Sequence, residues 1–152
     1  SPLSNAQRNI EMLTSQALSL YEGEKFTEAF PLIRKLVTQF NVTSMYFPLA
    51  FMYDNGFGCR KNHKHAIKYY KDAFYHSNSK FAAHNLGVIY QHSIRDVEKA
   101  KLWYSRSIKQ WDYSNSFFNL AVLFKDLEDY EMAREHYEKA AKIRDEISKK
   151  ES

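Results

Sequence analysis

Apolar and small residues along this chain recur in steps of four and three, the spacing of one helix face, and not in the alternation of a strand. Ala29, Ala66, Ala100 and Ala133 lie 37, 34 and 33 residues apart. Four residues after each comes Ile33, Tyr70, Tyr104 or Tyr137, and three further on Leu36, Ala73, Ser107 or Ala140. A second stripe precedes each of these: Leu13, Ala17, Leu20; Tyr46, Ala50, Tyr53; Ala83, Gly87, Tyr90; Phe117, Ala121, Phe124. The small central residue lets a neighbouring helix come close. Short polar connections join the two stripes of each set. The pattern predicts helices over 4–22, 25–40, 44–55, 62–77, 79–92, 96–110, 113–127 and 129–149, paired into repeats 4–41, 44–78, 79–112 and 113–149 of one domain over 1–152. A fixed period of this length marks a repeat architecture, because a lone helix pair cannot bury its apolar faces and must stack on the next.

Ser4, Thr43, Ser79 and Asp112 stand where capping oxygens are expected. Pro31 and Pro48 fall in or near first turns, where each should shift a helix start or bend a helix, at about 3 kcal/mol if interior. The last helix carries Glu135, Glu138, Lys139, Lys142, Arg144, Asp145 and Lys149, the polar outer face of a terminal cap.

Composition supports helices over a multi-turn β fold, since there are only 4 Gly and 3 Pro, while aromatic residues reach 16%. One cysteine, Cys59, permits no internal disulfide. Without a signal peptide or an apolar stretch near the length of a membrane helix, the expected location is cytoplasmic or nuclear.

Charge is uneven. Residues 60–112 carry 11 Lys/Arg against 4 Asp/Glu, while the flanking segments are slightly acidic. Arg60, Lys61, Lys64, Lys68 and Lys71 form a basic stripe, with Lys64, Lys68 and Lys71 on one helix face. It reads as a solvated face, or alternatively as a site for nucleic acid or an anionic surface. Six histidines show no His-Glu-x-x-His spacing, and no Gly-rich phosphate loop follows a strand. No catalytic, metal or cofactor site is therefore expected.

The second repeat reads Leu49-Ala50-x-x-Tyr53-x-x-Gly56-x-Gly58-Cys59-x-x-Asn62-x-x-His65-Ala66-x-x-Tyr69-Tyr70-x-x-Ala73. The third reads Leu86-Gly87-x-x-Tyr90, then Asp96-x-x-Lys99-Ala100-x-x-Trp103-Tyr104. Both resemble the Sel-one-like repeat, with departures at Ala50, Cys59, Asn62 and His65. The fourth (Phe117, Leu120, Ala121, Phe124, Tyr130, Ala133, Tyr137, Ala140) resembles a tetratricopeptide repeat, and the first is a weaker version of it.

That resemblance implies an all-α, right-handed α-solenoid whose first helices line a concave groove. Transferred onto this sequence, the inward positions are Thr14, Leu18 and Tyr21; Phe47, Phe51 and Asn55; His84, Asn85, Val88 and Gln91; and Phe118, Asn119, Val122 and Lys125. Asn85 and Asn119 match family positions that can hydrogen-bond an extended peptide. The inward set lacks the basic residues of a carboxylate clamp. The resemblance thus implies an adaptor that grips a peptide or helix of another protein in a larger complex, a spacer or dimerisation segment being the structural alternative.

Overall fold

A computed structural model describes residues 2–152. Helices form where the two stripes place them: α1 (Asn5–Glu22), α2 (Phe26–Thr38), α3 (Tyr46–Asn55), α4 (His63–His76), α5 (Ala82–Val88), α6 (Val97–Gln110), α7 (Ser114–Asp126) and α8 (Tyr130–Glu151). A 3₁₀ turn, Thr43–Met45, leads into α3, and a π-helical segment, Ile89–Ile94, extends α5. No strand occurs among the described residues.

One backbone hydrogen bond repeats in every pair. The N–H of the residue before the second helix donates to the carbonyl of the last stripe residue of the first. Lys25 bonds Leu20 at 2.8 Å, Asn62 bonds Tyr53 at 2.9 Å, Asp96 bonds Tyr90 at 2.8 Å and Asp129 bonds Phe124 at 2.8 Å. These four bonds fall at the same place in each helix pair, independently of side chains. They also explain the π segment. From Tyr90 to Asp96 the chain has six residues to place, where Leu20 to Lys25 and Phe124 to Asp129 have five. The extra residue is taken up by widening the last turn of the first helix.

Of the expected caps, only Ser4 serves. Its hydroxyl accepts from the Gln7 N–H, and the Gln7 side chain accepts from the Ser4 N–H, a reciprocal capping box. Thr43 instead begins the 3₁₀ turn, and α5 and α7 start after Phe81 and Tyr113, past Ser79 and Asp112, with no side-chain cap. Asn62, Asp96 and Asp129 cap α4, α6 and α8 instead, through the N–H groups of His65, Lys99 and Met132. Pro48 is the third residue of α3, where a missing N–H costs nothing. Pro31 lies inside α2, and the helix runs through it. The carbonyl it deprives of a donor belongs to exposed Thr27, where water can substitute.

In three of the pairs the second residue before the second helix adopts the left-handed conformation: Glu24 at φ 59°, Arg95 at 63° and Glu128 at 62°. A side chain there costs about 1 kcal/mol that glycine avoids. Arg95→Gly is therefore expected to stabilise the fold by several tenths of a kcal/mol up to about 1 kcal/mol, net of the entropy glycine loses. Chemical denaturation checks this; a lowered midpoint would contradict it.

The chain divides into two compact units, Ser1–Ser79 and Lys80–Ser152. Each unit holds two of the repeats, α1–α4 in the first and α5–α8 in the second. In the first, Ala17, Ala29, Ile33, Leu36, Leu49, Ala50, Ala66, Tyr70 and Ala73 are fully buried. In the second, Ala82, Ala83, Leu86, Ala100, Tyr104 and Ala121 are. The small residues at the stripe centres thus lie at the helix contacts, as their spacing requires.

Candidate partner-binding site

In the first unit, α3 presents Phe47 and Phe51, both half-buried, with their rings 6.2 Å apart and nearly parallel. Phe51 also meets Tyr21 of α1 at 6.5 Å and Phe57 at 5.8 Å, and Phe47 meets buried Tyr70 at 5.5 Å. Phe57 projects from the Gly56–Gly58 loop and stacks on Phe26 at 4.7 Å. It stays 36% exposed, so the α3 face is wider than α3 alone. Phe57 was not among the inward residues expected from repeat register. An aromatic residue between two glycines of a long connection was its only sequence signal. Asn55 is exposed, its amide donating to the Phe51 carbonyl at 2.9 Å. Thr14 is half-buried and spends its hydroxyl on the Ile10 carbonyl. Leu18 is exposed, and burial pushes the half-buried Tyr21 phenol up to about 12.

The second unit presents half-buried Asn85, Val88, Gln91, Asn119 and Val122, with Phe118 and Lys125 exposed. Phe118 is 40% exposed. Its ring meets Tyr137 edge-on at 5.4 Å, and the Arg144 guanidinium lies 5.7 Å from its centre. Gln91 and Asn119 both reach the hydroxyl of Tyr104, at 2.7 and 3.2 Å.

His84 departs from its expected place. Transferred as an inward groove residue, it is 8% exposed and sits among Tyr104, Tyr113 and Ser116. Its Nδ1 bonds the Ser116 hydroxyl at 2.8 Å, which bonds that of Ser107 at 2.7 Å. Burial lowers its pKa to about 4, so the ring is neutral at physiological pH. It packs as a core histidine, not as an open groove residue.

The basic stripe has Arg60, Lys61, Lys64 and Lys68 exposed and Lys71 half-buried. Lys68 already pairs with Asp72 at 3.2 Å and lies 4.5 Å over the Tyr69 ring. Cys59 is half-buried, its thiol directed at the Met52 carbonyl at 3.5 Å. Burial raises its pKa, so it stays a thiol. Among the described residues no group of three or more His, Cys, Asp or Glu is placed to hold a metal ion. No helix among them is long and apolar enough to cross a membrane.

Residues 45–75 and 80–110 match the Sel1 repeat, and residues 114–146 match the tetratricopeptide repeat. No curated protein sequence is similar to the chain. Among solved structures, a Sel1 repeat protein from Oxalobacter formigenes superposes with a TM-score of 0.67 at 21% identity, over 84% of this chain and 54% of that one. A protective antigen of uropathogenic Escherichia coli strains, with an SLR fold, gives 0.69 at 24% identity, over 88% and 33%. MamA gives 0.73 at 18%, over 93% and 81%. This chain therefore spans about half and a third of the first two, and at these identities the likeness is one of fold. With two Sel1 repeats followed by a tetratricopeptide repeat, the chain belongs to the Sel1-like and tetratricopeptide-like family of all-α solenoid proteins.

Proposed function

We propose that the chain is a non-catalytic adaptor that holds a peptide or helix of a partner protein against the first helices of its repeats, within a larger assembly. Sel1 and tetratricopeptide repeats generally mediate protein–protein interaction, which supplies the class of function. The observation that carries the reading is the partial exposure of Phe47, Phe51 and Phe118 beside stripe residues that are closed off. Repeat packing does not require large apolar groups there, and such groups act as anchors when a partner covers them.

Affinity capture with the chain as bait tests this. Phe51→Ala and Phe118→Ala should each weaken a recovered partner about 30-fold, the effect of truncating an aromatic anchor, with helical circular dichroism unchanged. Neutralising Lys64, Lys68 and Lys71 should leave binding in place. Binding lost on that neutralisation and collapsing steeply with salt would instead identify an anionic partner.

A further inference from the structure

Arg8, Ser15 and Glu22 follow one another at seven-residue steps along α1, close to two helical turns each, so they form a line down one face of the helix. Met12 and Ser19 stand beside that line, and all five residues are exposed. Arg8 and Glu22 make no ion pair among the described residues. Both charges also oppose the helix dipole, a cation in the first turn and an anion in the last, so α1 by itself gains nothing from them. Met12 is 71% exposed, more than any other large apolar side chain among the described residues. Arg8, Glu11, Met12 and Ser15 line a shallow hollow, because Ser15 is short and its neighbours are long. The face lacks the apolar residues with which a first helix packs on another repeat. One residue before and two residues after the central stripe alanine, α3 buries Leu49 and Met52, and α7 buries Leu120 and Leu123. The same two places on α1 hold Gln16 and Ser19, both polar and exposed.

We infer that this face binds a second copy of the chain, the two α1 helices lying antiparallel about a two-fold axis at Ser15. The line of charge is complementary to its own reverse. Turned end for end about Ser15, Glu22 of the second copy comes level with Arg8, and Arg8 of the second copy with Glu22. Two ion pairs form, and each end of each helix receives the charge that its dipole favours. A parallel pairing would set Arg8 on Arg8 and Glu22 on Glu22, which repel. Ser15 meets its own copy on the axis, and a residue that short lets the helix axes approach to about 8–10 Å. Met12 then lies over the small Ser15 and Ser19 of the second copy and loses its exposure to water. One helix face is a small interface, so the dimer is a weak one that forms at high concentration. This inference goes beyond the adaptor reading and does not depend on it.

Sedimentation equilibrium of the whole chain, at concentrations up to about 1 mM, tests this. The average mass should rise from 18.0 kDa toward twice that value as concentration increases. Arg8→Glu and Glu22→Arg each set like charges face to face, and each should weaken the dimer at least about tenfold. Both reversals suit the dipole of α1 better than the native residues do, so lost association cannot be put down to lost folding. The decisive sample is the mixture. An Arg8→Glu chain and a Glu22→Arg chain bring opposite charges together at both ends, so the two should form a one-to-one dimer of about native strength. A chain that stays at 18.0 kDa throughout would overturn the inference. So would single reversals that dimerise as well as the native chain, or a mixture that associates no better than either variant alone.

Discussion

Gly58→Ala is expected to cost about 3 kcal/mol or more, and Gly56→Ala only about 1–2 kcal/mol. Both glycines are left-handed, at φ 71° and 70°, so both substitutions bring the same strain for an L-residue. They differ in what the added carbon meets. At Gly56 the nearest atoms would be Lys61 Cβ at 3.3 Å and Lys61 N at 3.4 Å, which small shifts relieve. At Gly58 the Cβ would fall 2.1 Å from the carbonyl oxygen of Phe26 and 2.5 Å from its carbonyl carbon. That obstacle is the first turn of α2, not a flexible side-chain end. The loop must lift, and Phe57 would leave its stack on Phe26. Chemical denaturation of both variants measures the difference; equal losses would show that the loop does not seat on α2.

The second large effect is on pH dependence. His84 has a folded pKa of about 4 against 6.5 when exposed, because its burial disfavours the charged ring. Between these values the unfolded chain binds more protons than the folded one, so stability falls as pH falls. The contribution of neutral His84 is complete above pH 6.5 and is lost progressively down to about pH 4. The shift corresponds to about 3 kcal/mol. Equilibrium unfolding across that window should show the loss, and His84→Gln should make the curve markedly shallower. A wild-type curve flat from pH 7 to pH 4.5, or an unchanged slope in the variant, would mean that the ring protonates without disturbing its Ser116 contact.

These two positions show what periodicity reveals and what it misses. Eight helices were legible because small residues such as Ala50, Ala66, Ala100 and Ala121 are fully buried at the stripe positions, and that constraint writes itself into the spacing. The caps were legible in principle. Asn62, Asp96 and Asp129 are typical capping types directly before helices, yet Ser79 and Asp112 look just as suitable and are passed over, because α5 and α7 start later. The π segment could not be read, since it arises from fitting one extra residue under a fixed Tyr90–Asp96 bond. His84 was misplaced for a related reason. Register assigns a residue to a helix face, but its burial depends on Tyr113 and Ser116, which come from the next repeat. The same limit hid Tyr104. Its ring was expected in the core and lies there, but that its hydroxyl joins Gln91 to Asn119 follows only from three-dimensional distance.

The adaptor reading makes a claim about location: a partner covers the first helix of each repeat and leaves the second open. Amide hydrogen exchange of the whole chain, with and without a captured partner, maps this directly. Added protection should concentrate in α3, α7 and the α5 segment through Gln91, with α4 and α8 exchanging as before. Protection falling on α4 beside Lys64 and Lys68, or on α8, with α3 and α7 unchanged, would contradict it.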